Sequence, residues 1–325
     1  MRAAVVDRYG PPEQVRITEL PTPEPGPGQI LVRVEAAAVT SGDARMRAGR
    51  FPPGFGLPAR LAIGLRGPRA SVLGVAVSGR IERVGADVAG FAAGDDVAGM
   101  TGMRLGGHAE FVAVPAKAFA PKPLAVSHPD AAGALFGGST ALYFLRDRAG
   151  TGPGLRVLVN GASGAVGSAA VQLAASFGAV VTAVSSARNR EFVTRLGAQH
   201  HVDYARTPVV ALEEQYDVVF DAVGNLSRAD GLRLLAPDGT LVLAVASLAD
   251  MIRSRGQVVT GTAPERAADF ALLLELVASG RFDPSVEVLG GLEALPEAYR
   301  RIDSGRKVGN LVILPQQDAD PNRSA

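Results

Sequence analysis

The sequence of 325 residues contains no cysteine, which removes disulfides, thiolate nucleophiles, iron–sulfur clusters and every cysteine-ligated zinc site at once. Histidine is scarce: His108, His128, His200 and His201 are the only four, and none forms a two-histidine metal spacing on a helix. A metal site is not expected. Lysine occurs only at 117, 122 and 307 among 33 basic residues, a bias of a GC-rich coding genome rather than of function. Neither sign of charge dominates, since 33 basic residues face 32 acidic ones, so no global field gathers nucleic acid or anionic lipid. No apolar run reaches the ~18 residues of a membrane span, and Asp7 interrupts the start where a secretory signal needs an apolar core. The expectation is a cytoplasmic, soluble protein with neither nucleic-acid nor membrane partners.

At about 150 residues per domain the length suggests two domains. Residues 1 to about 121 read as short strands broken by Gly and Pro: Arg2–Val6, Ile30–Val34, Val72–Val84, Asp96–Ala98 and Ala109–Val114. From Arg156 strands and helices alternate. Val157–Val159, Val180–Val184, Asp217–Phe220, Leu241–Val245 and Gln257–Thr260 are the strands, a pattern of a parallel sheet with helical crossovers. Val166, Ala170, Leu173 and Phe177 share one face of a helix that Gly178 ends; Ala187–Leu196 ends likewise at Gly197. Further helices are expected over Ala267–Val277 and Leu295–Ile302, and a frayed polar tail over Gln316–Ala325.

The strongest site signal is the strand Leu155–Asn160 running into Gly161-Ala162-Ser163-Gly164-Ala165-Val166-Gly167, which opens a helix. Backbone amides there can face a pyrophosphate with no side chain in the way, and the helix dipole favours its charge. The spacing is AxGxxG, with Ala162 where the commonest dinucleotide fingerprint has its first Gly. About twenty residues on, where an NAD site carries Asp or Glu for the ribose, stand Ser185, Ser186, Arg188 and Arg190. Hydroxyls and a guanidinium suit a 2′-phosphate, so NADPH is expected, with Arg188 the main contact. The other reading of Arg188 and Arg190 is a solvated helix face.

With these elements placed, the chain resembles the medium-chain dehydrogenase/reductase superfamily, in its zinc-independent quinone oxidoreductase (zeta-crystallin-like) branch. Seven stretches carry the resemblance in order: Val39–Gly49, Val84–Val97, Gly106–Val112, Gly138–Ala141, Asn160–Gly167, Asp217–Gly224 and Gly309–Ile313. The resemblance implies an α/β protein: a GroES-like β-barrel catalytic domain from residues 1–121 and 265–325, and a doubly wound Rossmann domain from 122–264. It also implies NADPH in the cleft, with Thr140, Val245 and Asn310 toward the nicotinamide and Ser185, Arg188 and Tyr204 near the 2′-phosphate. Tyr204 reads equally as a packed surface aromatic.

The zinc enzymes of the superfamily use Cys and His ligands, a set this chain cannot assemble. Hydride delivery to a quinone or an α,β-unsaturated carbonyl is then expected, because a conjugated acceptor spreads the incoming charge without a Lewis acid. Family members often carry Asn at the position of Thr40 and Tyr at that of Phe51. The Thr40 hydroxyl keeps a donor, whereas Phe51 has no proton to give. Tyr9, Tyr143, His108 and solvent remain as proton sources, solvent foremost. Asp43 and Arg45 are expected to pair and either shape the substrate pocket or brace the barrel. The long stretch 51–70, with Arg60, Arg66 and Arg69, is expected to fold over the cleft as a lid for a flat, hydrophobic, partly anionic small molecule. The alternative function is an NADPH-binding protein with little turnover, structural or redox-sensing. A homodimer is expected, since the last Rossmann strand often pairs across a dimer axis in the family.

Overall fold

The computed structural model describes residues 1–317; of the expected frayed tail Gln316–Ala325, Gln316 is instead held, its Nε2 donating to the Val34 (3.3 Å) and Glu110 (2.7 Å) carbonyls, and the part from 318 lies outside the described residues. Two compact units emerge. One comprises Met1–Phe51, Gly56–Phe136 and the chain from Glu265 onward; the other comprises Pro52–Phe55 and Gly137–Pro264.

Through the first unit the chain forms β1 (Arg2–Val5), β2 (Arg16–Glu19), β3 (Gln29–Val39), α1 (Ser41–Ala48), α2 (Gly56–Ile63), β4 (Ala76–Val84), β5 (Asp96–Met100), β6 (Phe111–Pro115) and β7 (Phe119–Pro121). Helix α3 (His128–Leu142) follows, continued by one π-helical stretch over Tyr143–Arg148. Then come β8 (Arg156–Asn160), α4 (Ala165–Ser176), β9 (Val180–Ser185), α5 (Arg190–Arg195), β10 (His200–Asp203), β11 (Tyr216–Asp221), α6 (Arg228–Arg233), β12 (Leu235–Leu243), α7 (Leu248–Ile252) and β13 (Val258–Thr260). The chain closes with α8 (Ala267–Ala278), β14 (Val286–Val288), α9 (Leu295–Asp303) and β15 (Asn310–Ile313).

The first unit is built around β3. Its two edges carry β4 on one side and, on the other, β6 along the first half and β15 along the second. A register shift between Val34 and Ala36 explains how one strand serves two cores. Before it, Ile30, Val32 and Val34 point into a core with Val77, Ile81, Leu295 and Tyr299; after it the parity flips, and Ala37 and Val39 face that core. Ala36 and Ala38 then point the other way, where their small side chains let Leu135 of α3 and Phe270 and Leu274 of α8 pack closely.

The second unit is a six-stranded parallel sheet in the order β10-β9-β8-β11-β12-β13. Helices cover both faces of such a sheet, which is why its strands read as unbroken apolar runs. Strand order reverses between β8 and β11, so the switch point of a Rossmann sheet lies at the carboxyl ends of those two strands. Left-handed glycines end the crossovers as the spacing predicts, Gly178 at φ +84° and Gly197 at φ +110°.

One boundary differs from expectation. Residues 122–136 do not pack with the Rossmann sheet: Ala131, Ala132 and Leu135 are buried in the β-rich core. From Gly137 onward α3 belongs to the second unit, because a Cβ at Gly137 would lie 2.4 Å from the Ala165 carbonyl oxygen. Pro52–Phe55 also sort with the second unit, where the Pro53 carbonyl accepts the Leu248 amide at the start of α7 (2.9 Å).

Candidate coenzyme site

Strand β8 ends at buried Asn160, and the chain then turns at Gly161, whose φ of +79° only glycine adopts without strain. The Gly161 and Ala162 amides both donate to the Val184 carbonyl, at 3.2 and 3.0 Å, and Ala162 is fully buried. Gly161 therefore makes the tight turn, which frees the next position to hold an alanine. Gly167 serves packing instead, since a Cβ there would lie 2.1 Å from the Gly161 carbonyl oxygen; it sets how closely α4 approaches the turn. Gly164 is the N-cap of α4 and offers no side chain to its first turn. The amides of Ala165, Val166 and Gly167 thus have no acceptor within the helix and stand at its positive end, a cradle for a pyrophosphate.

The loop is fixed to its neighbours. Asn189 Nδ2 donates to Ser163 Oγ (2.9 Å), joining the loop to the short turn Ala187–Asn189 that carries exposed Arg188. The close approach of Gly137 to Ala165 lays α3 beside the loop, with half-buried Thr140 one turn further along. At the end of β9, Ser185 Oγ lies 3.0 Å from His201 Nε2, and the Tyr204 amide donates to the Ser185 carbonyl (3.3 Å). Burial, and then the charge of Arg190, holds His201 below the usual imidazole pKa, leaving it a neutral partner for the Ser185 hydroxyl at pH 7. Tyr204 is 54% exposed, so it is not a packed aromatic. Ser185, Ser186, Arg188 and Tyr204 are thus gathered at one corner, and no carboxylate terminates β9. Asp203, at the end of β10, accepts from the Ala205 amide (3.1 Å) and faces Arg206 (3.9 Å).

Sequence reasoning missed the brace at the switch point. Asp221, fully buried, accepts from Asn160 Nδ2 (2.9 Å) and from the amides of Val223 (3.0 Å), Gly224 (3.1 Å) and Leu226 (3.3 Å). Asn160 also donates to Asn225 Oδ1 (2.7 Å), and at Gly224, with φ +85°, a Cβ would lie 2.8 Å from Val245 Cγ1. The available signal was two polar residues, each ending an otherwise apolar parallel strand.

The β-rich unit treats its candidate residues differently. Thr40 caps α1 in a reciprocal box: its Oγ1 accepts the Asp43 amide (3.2 Å), while Asp43 Oδ2 accepts both the Thr40 amide (2.8 Å) and its hydroxyl (2.6 Å). Asp43 Oδ1 takes the Gly74 amide (3.0 Å). The expected Asp43–Arg45 pair does not form, because both carboxylate oxygens are already taken and Asp43 is fully buried. Nor is the Thr40 proton free, since it is spent on Asp43. Around them lie His108, bonded to the Ala38 carbonyl (3.3 Å), and Tyr299, whose hydroxyl is 3.4 Å from His108 Nδ1. Buried Arg47 pairs with Asp303 (2.6 Å) and lies over the Tyr299 ring. Asn310 Nδ2 donates inward to the Pro284 carbonyl (2.6 Å), and the Tyr9 hydroxyl to that of Gly64 (2.7 Å).

Residues 196–313 match a family described as zinc-binding dehydrogenase, and residues 26–124 match the alcohol dehydrogenase GroES-like domain. The chain is 29% identical over 335 residues to the chloroplastic quinone-oxidoreductase QR1 of Triphysaria versicolor, covering 97% of this chain and 98% of that one. It is 30% identical over 354 residues to the mitochondrial NAD(P)H oxidoreductase RTN4IP1 of Bos taurus, covering 96% and 89%. The quinone oxidoreductase structure from Coxiella burnetii superposes with a TM-score of 0.86 at 27% identity, covering 97% of this chain and 99% of that one. The zinc in the first family's description finds no donor set here: cysteine is absent, His108 is committed to Ala38, and the described residues contain no group of three His, Asp or Glu that could hold a metal ion. Sequence, sheet order and relatives agree that the chain belongs to the medium-chain dehydrogenase/reductase superfamily, beside relatives named quinone oxidoreductases.

Proposed function

We propose that the protein is an NADPH-dependent reductase of quinones or α,β-unsaturated carbonyls. One observation carries this reading: an uncapped, glycine-framed helix start stands beside a β9 end that offers hydroxyls and Arg188 and no carboxylate. Bound there, NADPH supplies a hydride. The α4 amides hold the pyrophosphate, Ser185, Ser186 and Arg188 take the 2′-phosphate, and exposed Tyr204 offers a face for the adenine. Thr140 and Val245 border the nicotinamide end of the same unit; Asn310, its amide spent on Pro284, is left out of the set. A conjugated acceptor suits a chain whose described residues gather no metal-binding cluster, because the charge that arrives is delocalised and needs only hydrogen bonds.

The commitments of Thr40, Tyr9 and His108, together with the phenyl ring of Phe51, leave solvent, and after it Tyr143, whose hydroxyl accepts from Arg148 (2.9 Å), as the proton source for hydroquinone or ketone formation. The same commitments favour the second reading, a coenzyme binder with little turnover. The setting we propose is cytoplasmic and homodimeric, with edge strand β13 as the pairing surface.

Calorimetric titration with NADPH and NADH, followed by NADPH absorbance with a simple quinone and a simple enone, tests this. Binding with oxidation by either acceptor supports the reductase; tight binding without oxidation supports the second reading; no uptake of NADPH defeats both. In Arg188→Ala the NADPH/NADH ratio of kcat/KM should fall about 10- to 100-fold, the loss of a charged hydrogen-bond pair. An unchanged ratio removes Arg188 from the site.

A further inference from the structure

Between Asp43 and Glu82, residues 44–81 contain seven arginines and no aspartate or glutamate, in a chain whose net charge is +1. Within this stretch α2 is held firmly from one side. Arg69 donates to the carbonyls of Leu61 (3.1 Å) and Ala62 (3.0 Å) at the helix end. The Tyr9 hydroxyl donates to the Gly64 carbonyl (2.7 Å), and the Arg60 guanidinium lies 5.5 Å above the Tyr9 ring. Gly67 backs onto Asp7 so closely that a Cβ would lie 2.1 Å from its carbonyl oxygen. The expected flap is therefore a pinned helix.

What the pinning leaves outward is apolar. Leu57 and Leu61, one turn apart, and Leu65 beyond them are 69%, 57% and 63% exposed. Large aliphatic side chains fixed in water shed their hydration cost only when something covers them. The charges around them select the cover. Arg60, Arg66 and Arg69 are all exposed, while Asp7, the carboxylate that the fold brings to Gly67, is paired with Arg16 at 2.8 Å and Asp303 is paired with Arg50 at 3.2 Å. A second copy docking by two-fold symmetry would set these arginines against themselves.

We propose that this face docks on an anionic membrane surface, the leucines entering the acyl boundary and the arginines meeting lipid phosphates. Such contact needs no spanning helix, and none of the described helices is long and apolar enough to be one. This departs from the expectation of no membrane partner. Docking stands on exposure and charge and does not depend on the reductase reading; where that reading holds, the surface brings the protein to lipophilic quinones.

The test is co-sedimentation of the full chain with vesicles of phosphatidylcholine, alone and doped with phosphatidylglycerol. The wild type should sediment with the anionic vesicles and be released by salt. Leu57→Ser/Leu61→Ser/Leu65→Ser should weaken that binding about tenfold or more, and Arg66→Gln a few-fold, with the thermal midpoint and NADPH affinity of both variants unchanged. The proposal is overturned if the wild type ignores anionic vesicles or if the leucine variant binds them equally well. It is also overturned if the leucine variant merely turns a dimer into a monomer in the ultracentrifuge while vesicle binding persists.

Discussion

In the Rossmann unit the groups offered to a ligand are backbone amides, and the polar side chains nearby brace them: Asp221 and Asn160 at the switch point, Asn189 on Ser163. In the β-rich unit the corresponding polar side chains are spent inside the fold, Thr40 on Asp43, Arg47 on Asp303 and His108 on the Ala38 carbonyl, and Asp43, Thr40, Arg47 and His108 are all buried. A site made of backbone is dictated by where glycines stand, so its shape follows from spacing. A site made of side chains is not, because spacing says which residues are neighbours and not which atoms they choose.

The sharpest way to break this contrast is at the glycines. Gly167→Val should cost about 3 kcal/mol of stability and abolish measurable NADPH binding, since the new side chain must lift α4 off the Gly161 turn. Gly164→Ala should leave the thermal midpoint unchanged, because its Cβ would meet only the Gly161 carbonyl oxygen at 3.6 Å, yet weaken NADPH about tenfold by crowding the amides. Calorimetry beside thermal melts separates the two, and equal behaviour would erase the division of labour. The mirror experiment is Asp43→Ala, expected to cost about 2–3 kcal/mol in chemical denaturation by stranding the Thr40 and Gly74 amides, with coenzyme affinity intact.

A pH series, read as the difference between wild type and a His128 variant, probes the β-rich unit. Burial first, and then the charge of Lys122, pulls the His128 pKa from 6.5 to about 4, against the pull of Asp96 at 3.7 Å. The unfolded chain therefore binds the extra proton between those values, and stability should decline as pH falls from 6.5 through 4, by up to ~3 kcal/mol. Denaturation of His128→Gln should show a shallower decline over the same window. The smallest effect is reserved for Tyr204→Ser: a few-fold weaker NADPH binding with no change in melting, as befits a side chain 54% exposed.

What could be read in advance followed local rules. Five of the six parallel strands, the loop at 161–167 and the glycine stops at Gly178 and Gly197 were legible because each is set by residues within a few positions; β10, with two histidines and an aspartate in four residues, was not. Helix α3 was not, since Gly133, Gly137 and Gly138 argue against a helix interior by propensity. Packing overrides that preference: Cβ atoms would lie 2.4 Å from Val286 at Gly133 and equally close to the Ala165 carbonyl at Gly137. The pairing of β15 with β3 joins residues such as Leu311 and Val39, which no nearby pattern announces. Among candidate site residues the gathering of Ser185, Ser186, Arg188 and Tyr204 at one corner follows from neighbouring strand ends, whereas the destinations of the Thr40, Asp43 and Asn310 side chains depend on distant tertiary contacts.

The positive φ at Gly161, one residue ahead of the usual first glycine, has a wider implication. The sharp bend and the glycine signature are separable: evolution can slide the permissive residue one step toward the strand, fill the vacated place with a methyl group, and keep every donor at the helix mouth in position. Searches keyed to the three-glycine string pass over such loops, whereas searches keyed to backbone handedness at the strand's exit would find them.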